Sequence, residues 1–182
     1  MATPRFYLPP EFWPADNEVG EVELPDDEAH HARDVLRMRA DDALRVFDGL
    51  GRTASARFLR AGKREAWVAI GQVEMHPRPV PFLSIAYAPP KGKRASFAVE
   101  KLTELGADEI IPLKTARSVS EGGSPEKWEA RVIEAAKQCG RAWLPRSAAA
   151  LLQPRHLVLS CAGTGTDPRQ RRIGWGSAGS EF

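Results

Sequence analysis

The chain has 182 residues, 42% of them hydrophobic and 27% charged, with a formal net charge of only +2 at pH 7. This length and composition suit one or two globular domains. The net charge is too small to identify the chain as a nucleic-acid-binding protein by itself. No apolar run reaches membrane-spanning length and no signal-peptide core opens the chain, so we expect no membrane partner. Cys139 and Cys161 fit no zinc or redox spacing, which favours a reducing cytoplasm.

The charges are unevenly distributed. Arg and Lys outnumber acids in residues 33–39, 57–64 and 91–94, whereas acids crowd into residues 16–28. Basic patches of this kind hold phosphate groups without an extreme total charge.

The first 76 residues have the pattern of a small β-rich domain. Strands are predicted at 5–7, 21–24 and 44–47, and two hairpin arms at 53–59 and 65–73. Residues 75–81 (MHPRPVP) carry three prolines, which interrupt any periodic pattern, and this segment is predicted to be a linker.

A short helix is predicted after the second strand, because three acids occupy its first turn, where the helix dipole favours them. We expect Ala32, Val35 and Leu36 to face the core. His30 and His31 are adjacent, so their side chains do not converge on one ligand, and no set of residues at metal-ligand spacing accompanies them. Their predicted role is structural, and no metal is expected.

Residues 82 to about 160 have an α/β pattern. A strand at 83–88, a helix at about 95–105 with Ala98, Leu102 and Leu105 on its apolar face, and apolar residues 110–111 form a βαβ unit, which implies a parallel sheet. Ligands bind beyond the C-terminal ends of such strands. The basic loop with Lys91, Lys93 and Arg94 falls at that edge, although an isolated loop of this type is usually a solvated turn.

A second helix is predicted from Pro125 to about Cys139, with residues 128, 132, 135, 136 and 139 on one face and Gly140 ending it. Arg117, Gln138 and Arg141 lie near its two ends. They are candidates for a crevice site, but they are also suited to capping helices or backbone carbonyls, and the pattern does not decide between these roles. A further short strand is predicted at 157–159.

Residues 161–182 differ in composition from the rest. They are rich in Gly, Ser, Thr and Arg, and Ile173 is their one aliphatic residue larger than alanine. Such a segment cannot bury much apolar surface, so we expect it to be poorly ordered. Pattern alone thus predicts a β-rich module followed by an α/β domain with a basic crevice, and an RNA-facing role, but no reaction.

Four segments carry a resemblance to one family: RFYLP at 5–9, HHARDVLRMRADDALRVFDGLG at 30–51, PPKGKRASFAVEKLTELGADEIIPLKTARSV at 89–119 and WEARVIEAAKQCGRAWLPR at 128–146. They resemble the RsmE-type ribosomal RNA uridine N3-methyltransferases of the SPOUT superfamily. The resemblance implies an α+β protein with a PUA-like β-barrel at 1–74, a linker at 75–81 and an α/β methyltransferase domain from 82 to 160. It also implies S-adenosylmethionine as cofactor, a uridine of 16S ribosomal RNA in the small subunit as substrate, and a homodimer.

The resemblance also suggests site residues. Lys91, Lys93 and Arg94 are expected to hold phosphates, and Arg117, Gln138 and Arg141 to line the crevice near the target uridine. On the barrel, the expected RNA contacts are Arg5, Arg33, Arg37 and Arg39. No catalytic residue is singled out.

The family places its cofactor pocket in a C-terminal trefoil knot that needs an IGPEGG-like loop and a later LG…ILR.ETA block. This sequence offers only Ile173 and Gly174, followed by Trp175-Gly176, as weak cofactor-binding candidates, and the second block is absent. We therefore expect a truncated or out-of-frame C-terminus and an incomplete knot. The alternative function is a non-catalytic RNA-binding protein that uses the barrel and the basic loop.

Overall fold

The computed structural model describes residues 3–14, 20–115 and 125–147. Predictions for Arg117, Ile173, Gly174, the strand at 157–159 and the 161–182 segment lie outside these residues. The strands are β1 Arg5–Tyr7, β2 Gly20–Glu23, β3 Ala43–Phe47, β4 Arg52–Ala61, β5 Ala66–Met75, β6 Ser84–Tyr87, β7 Glu109–Pro112 and β8 Arg146–Ser147. The α-helices are α1 Asp26–His30, α2 Lys93–Glu104 and α3 Pro125–Cys139, and Pro10–Phe12 forms one 3-10 turn.

The first five strands form one sheet in the order β1-β3-β4-β5-β2, in which β1 and β3 are parallel and the other pairs antiparallel. Alternate side chains point inward because successive residues of a strand face opposite sides. The predicted strands and hairpin are confirmed, and both hairpin arms are longer than predicted. The fully buried large side chains of this core include Phe6, Leu24, Leu44, Val46 and Ile70.

The end of α1 departs from the prediction. The helix continues as one π-helical turn, His31–Val35, in which the Leu36 amide donates to the His31 carbonyl at 2.9 Å. This wider turn shifts the register, so Val35 and Leu36 are 59% and 42% exposed. The prediction that they face the core was wrong, whereas Ala32 is buried as expected.

The second sheet has the order β6-β7-β8 and is entirely parallel, which confirms the βαβ unit. Ile85 pairs with Ile110 and Tyr87 with Pro112. Ile85, Ile110 and Tyr87 belong to one apolar cluster with Val99 of α2 and with Trp128 and Val132 of α3. The strand β8 was not predicted.

The buried faces of the helices differ in part from the expected ones. On α2 the buried residues are Val99 and Thr103, whose hydroxyl donates to the Val99 carbonyl at 2.8 Å, while Leu105 is 79% exposed. The assignment of Leu105 to the core face was wrong, because the chain leaves the helix there and Gly106 turns it with φ 99°. On α3 Trp128 and Val132 are buried as predicted, but Cys139 is exposed.

The two sheets are joined by more than the covalent segment between them. Residues 76–83 form neither helix nor strand. In addition, the Leu144 amide donates to the Gly49 carbonyl at 2.9 Å and the Trp143 indole N–H to the His76 carbonyl at 3.0 Å. The Arg78 guanidinium lies 4.9 Å from the centre of the Trp143 ring. The end of α3 and the chain after it therefore dock onto the N-terminal sheet.

Candidate functional site

A basic loop follows β6 at the C-terminal edge of the parallel sheet. Lys91, Lys93 and Arg94 are all exposed there, and α2 begins within the loop at Lys93. The neighbouring strand β7 leads to Lys114, which is also exposed. The Leu113 amide donates to the Tyr87 carbonyl at 2.8 Å, which holds the two strand ends together. Four basic side chains therefore lie at the C-terminal edge of the sheet, where parallel sheets bind their ligands.

Tyr87 is the last residue of β6 and carries an unusual hydroxyl. Its ring stacks on Trp128, with centroids 6.0 Å apart and planes at 29°. The hydroxyl is buried and has no hydrogen-bond partner among the residues that the structure describes. Desolvation raises the pKa of Tyr87 to about 12. A buried polar group without a partner is costly, so this hydroxyl is suited to bind a ligand atom at the sheet edge.

Arg141 lies at the opposite edge of the sheet. Its Nη1 donates to the carbonyls of Thr103 and Ala107 at 3.0 and 2.9 Å. Its Nη2 lies 3.5 Å from Asp108 Oδ1, and Asp108 Oδ2 accepts from the Leu83 amide at 2.9 Å. Asp108 and Leu83 directly precede β7 and β6, so this is the N-terminal edge. Arg141 thus contacts backbone carbonyls and Asp108 at this edge, whereas the basic loop lies at the other edge.

Arg5 is engaged at the same end of α3. It donates to the Ala136 carbonyl at 3.1 Å and to the Arg141 carbonyl at 3.0 Å, and its guanidinium lies 4.7 Å from the centre of the Phe47 ring. Burial, with a smaller contribution from Arg45, lowers the pKa of Arg5. Gln138 is exposed nearby on the last turn of α3. Arg5 therefore neutralises the C-terminal carbonyls of α3, the role that a cation best fills at a helix end.

The barrel arginines divide into two kinds. Arg33 Nη2 lies 2.6 Å from Asp34 Oδ2, and its Nη1 donates to the Lys63 carbonyl at 2.7 Å, so it ties the segment after α1 to the β4–β5 turn. Arg37 and Arg39 are exposed beyond it, Arg37 with φ 53°. We call Arg37, Arg39, Lys63 and Arg64 the barrel patch; all four side chains are exposed.

Both histidines make contacts within the N-terminal domain. His30 Nδ1 lies 2.6 Å from Asp34 Oδ2, and the His31 ring meets the Phe6 ring edge-on with centroids 6.0 Å apart. Within residues 3–14, 20–115 and 125–147, no group of three or more His, Cys, Asp or Glu side chains is arranged to hold a metal ion. In the same residues no helix is both long and apolar enough to cross a membrane.

Sequence reasoning missed Lys114 and Tyr87. Both lie at strand ends on the C-terminal edge, so their position after an apolar run was a usable signal. Nothing in the sequence marked the Tyr87 hydroxyl as unpaired, because that depends on how α3 covers the strand.

Two family models match the chain in consecutive segments. Residues 24–71 match an RNA methyltransferase PUA domain, and residues 76–157 match an RNA methyltransferase domain. The first coincides with most of the N-terminal sheet and the second with the parallel sheet and its helices.

Curated relatives and solved structures agree with these matches. Ribosomal RNA small subunit methyltransferase E of Mycobacterium bovis is 33% identical over 135 residues, which cover 70% of this chain and 52% of that protein. The Synechocystis protein of the same name is 34% identical over 71% of this chain and 43% of its own length. The chain therefore spans about half the length of the curated relatives it matches.

A crystal structure of a predicted RNA methyltransferase from Thermotoga maritima is 33% identical, with a TM-score of 0.70 over 86% of this chain and 69% of that one. The Neisseria gonorrhoeae ribosomal RNA small subunit methyltransferase E, bound to S-adenosyl methionine, is 29% identical, with a TM-score of 0.70 over 85% of this chain and 63% of its own. The fold is α+β, a PUA-like domain followed by a SPOUT-type methyltransferase domain. The chain belongs to the family of RsmE-type ribosomal RNA methyltransferases.

Proposed function

We propose that this protein methylates N3 of a uridine in 16S ribosomal RNA of the small ribosomal subunit, with S-adenosylmethionine as the methyl donor. The observation that carries the proposal is the match of both domains, in order, to RNA methyltransferase models. The relatives named ribosomal RNA small subunit methyltransferase E support the choice of RNA.

The cofactor supplies an activated methyl group on a positively charged sulfur. In the described residues, the observation that fits a bound ligand is the buried, unpartnered Tyr87 hydroxyl at the C-terminal sheet edge. Tyr87 and the segment 113–115, which follows β7, are our candidates for one wall of its site. The sequence-based candidates Ile173 and Gly174 lie outside the described residues.

Methylation at N3 replaces the N3 proton by a methyl group, so negative charge develops on the uracil ring as the proton leaves. Fixed cations near developing charge are usually the largest contribution to catalysis. Lys91, Lys93, Arg94 and Lys114 are exposed at the same sheet edge, and we propose that they bind phosphates and stabilise this charge. Arg5, Arg33 and Arg141 donate to backbone carbonyls within the protein. We therefore propose a structural role for these three residues.

The homodimer and the cytoplasmic location implied by the family resemblance remain part of the proposal. Sedimentation of the purified chain tests the first. A cytoplasmic site follows from the substrate, because ribosomal RNA must be reached for the reaction to occur.

Calorimetric titration with S-adenosylmethionine tests the proposed function, with binding to 16S ribosomal RNA measured in parallel. We expect both ligands to bind. Tyr87→Phe should lower the affinity for the cofactor and leave the affinity for RNA unchanged. Cofactor binding would also show that the expectation of an incomplete site, drawn from residues 161–182, is wrong. Binding of RNA without cofactor would overturn the proposal in favour of the non-catalytic alternative.

A further inference from the structure

Phe97 lies in the middle of α2 and is 60% exposed. The buried residues of this helix are Val99 and Thr103. At about 100° per residue, Phe97 points roughly 160° away from Val99, straight out from the protein. Burying a phenyl ring is normally worth about 1.5–3 kcal/mol. A Phe left in solvent on a helix that already has an apolar face is therefore not explained by packing within the described residues.

Three of the four neighbours of Phe97 on the helix surface are cationic, and the fourth, Glu100, is paired with Lys101. Lys93 and Arg94 lie four and three residues before it, and Lys101 lies four residues after it, so all three share its face. Lys101 Nζ is 5.6 Å from the centre of the ring and also pairs with Glu100 and Glu104. No ion pair joins Lys93 or Arg94 to an acid in the part of the chain that the structure describes. We call Lys93, Arg94, Phe97 and Lys101 the α2 face.

The α2 face adjoins the candidate site. The helix starts within the basic loop after β6, so Phe97 stands just over one turn from that loop. The first turn of α2 contains no acid. An exposed aromatic ring with Lys and Arg beside it is a combination that binds single-stranded nucleic acid, because a base stacks on the ring while the cations hold neighbouring phosphates.

We propose that Phe97 is a stacking platform for an unpaired base of the RNA substrate, with Lys93 and Arg94 on the flanking phosphates. This inference rests on the proposed function, because it deepens how the same sheet edge receives RNA. In this proposal α2 binds RNA directly, and the Phe97 ring holds a nucleotide that neighbours the target uridine.

A second copy of this chain fits the α2 face less well. In a two-fold symmetric contact the same patch meets itself, so Lys93 and Arg94 of one copy would face the same cations of the other. Like charges at close range repel, whereas the phosphates of RNA are attracted to both. Charge complementarity therefore favours RNA over a second copy of the chain as the partner of the α2 face.

The experiment uses the full chain and a fluorescein-labelled, single-stranded, uridine-rich RNA, with affinity measured by anisotropy over a series of salt concentrations. Phe97→Ala should weaken binding by about 5-fold to 150-fold, the range that base stacking supplies. Its salt slope should equal that of the unaltered chain, because every cation is still present. Lys93→Ala with Arg94→Ala should lower the slope by about 0.7 for each phosphate that is no longer bound. Phe97→Trp should retain the affinity.

Leu105→Ala is the matched control, since Leu105 is the other exposed apolar residue at the end of this helical segment and stands away from the basic loop. Its RNA affinity should be unchanged. If the unaltered chain binds the RNA and Phe97→Ala binds equally well, the stacking proposal fails and the proposed function stands. A Phe97→Ala variant that changes only the oligomeric state would overturn the proposal and show a protein interface instead. If the unaltered chain binds 16S ribosomal RNA but not this single-stranded RNA, the stacking proposal fails and the proposed function stands. If it binds neither RNA, the proposed function fails together with this inference.

Discussion

Lys137 Nζ lies 3.0 Å from both carboxylate oxygens of Glu28, and the two side chains are only 9% and 10% exposed. The pair joins α3 of the methyltransferase domain to α1 of the N-terminal domain. Burial raises the pKa of Glu28, and the opposing effect of Lys137 does not cancel it. The domain junction therefore contains an ion pair that has lost most of its water.

The junction should respond sharply to the loss of either partner. Lys137→Met or Glu28→Gln alone should lower the free energy of unfolding by about 3–5 kcal/mol, because each leaves a buried polar group without its partner. The double variant should lose much less than the sum. Urea unfolding of the four proteins measures the coupling, and strictly additive losses would show that the pair contributes nothing specific.

Tyr87→Phe should raise the stability of the protein by about 1 kcal/mol, because it removes a buried hydroxyl that has no partner in residues 3–14, 20–115 and 125–147 and keeps the stacking on Trp128. Thermal unfolding without ligand is the measurement. A loss of stability instead would indicate that the hydroxyl is satisfied in the free protein.

The same residue predicts a pH dependence. The folded pKa of Tyr87, about 12, lies above its ordinary value of 10.0 because burial disfavours the phenolate, so the stability of the protein should not depend on this ionisation below pH 10 and should fall as the pH rises toward 12. The chain has only two tyrosines, and burial raises the pKa of Tyr7 as well. Absorbance at the tyrosinate band should therefore stay low at pH 10. Ionisation of one tyrosine near pH 10 in the folded protein would contradict this.

Much of the fold was predictable because it follows from local pattern. Apolar spacing marked α2 and α3, and Gly106 and Gly140, with φ 99° and 80°, end them as expected. The failures have physical causes. One π-helical turn moved Val35 and Leu36 out of the core, and β8 consists of Arg146 and Ser147, which carry no apolar signal.

The site was less predictable than the fold. The basic loop was identified because it follows a strand directly. Arg141 was grouped with it, yet the two lie at opposite edges of the sheet, since Arg141 bonds to Asp108 before β7 and the loop follows β6. Tertiary packing decides which edge of the sheet the C-terminal end of α3 contacts. A short sequence motif does not contain that information.

Gly51 and Gly92 offer a matched test of the domain junction. Both have positive φ, 101° and 65°, so alanine is strained at either position. A Cβ on Gly51 would lie 2.6 Å from the Trp143 ring and 2.9 Å from the His76 carbonyl oxygen, whereas one on Gly92 would meet nothing within 4 Å. Gly51→Ala should cost about 3 kcal/mol or more and Gly92→Ala about 1 kcal/mol, as measured by urea unfolding. Equal losses would mean that backbone strain alone matters and that the Trp143 contact is dispensable.

The barrel patch should contribute to RNA binding through charge. Replacing Arg37 and Arg39 by Ala should weaken binding to 16S ribosomal RNA and flatten its salt dependence, without loss of stability, because both side chains are exposed. Arg33→Ala should instead loosen the contact with the Lys63 carbonyl and lower stability. An unchanged salt slope in the Arg37 and Arg39 variant would identify these arginines as a solvated surface.

The most direct test of the proposed function is mass spectrometry of nucleosides from small ribosomal subunits assembled on unmodified 16S ribosomal RNA. The subunits are incubated with the full chain and S-adenosylmethionine that carries a deuterated methyl group. We predict deuterated 3-methyluridine that depends on both protein and cofactor. Bound RNA without any labelled 3-methyluridine would contradict the assignment of this chain as a uridine N3-methyltransferase.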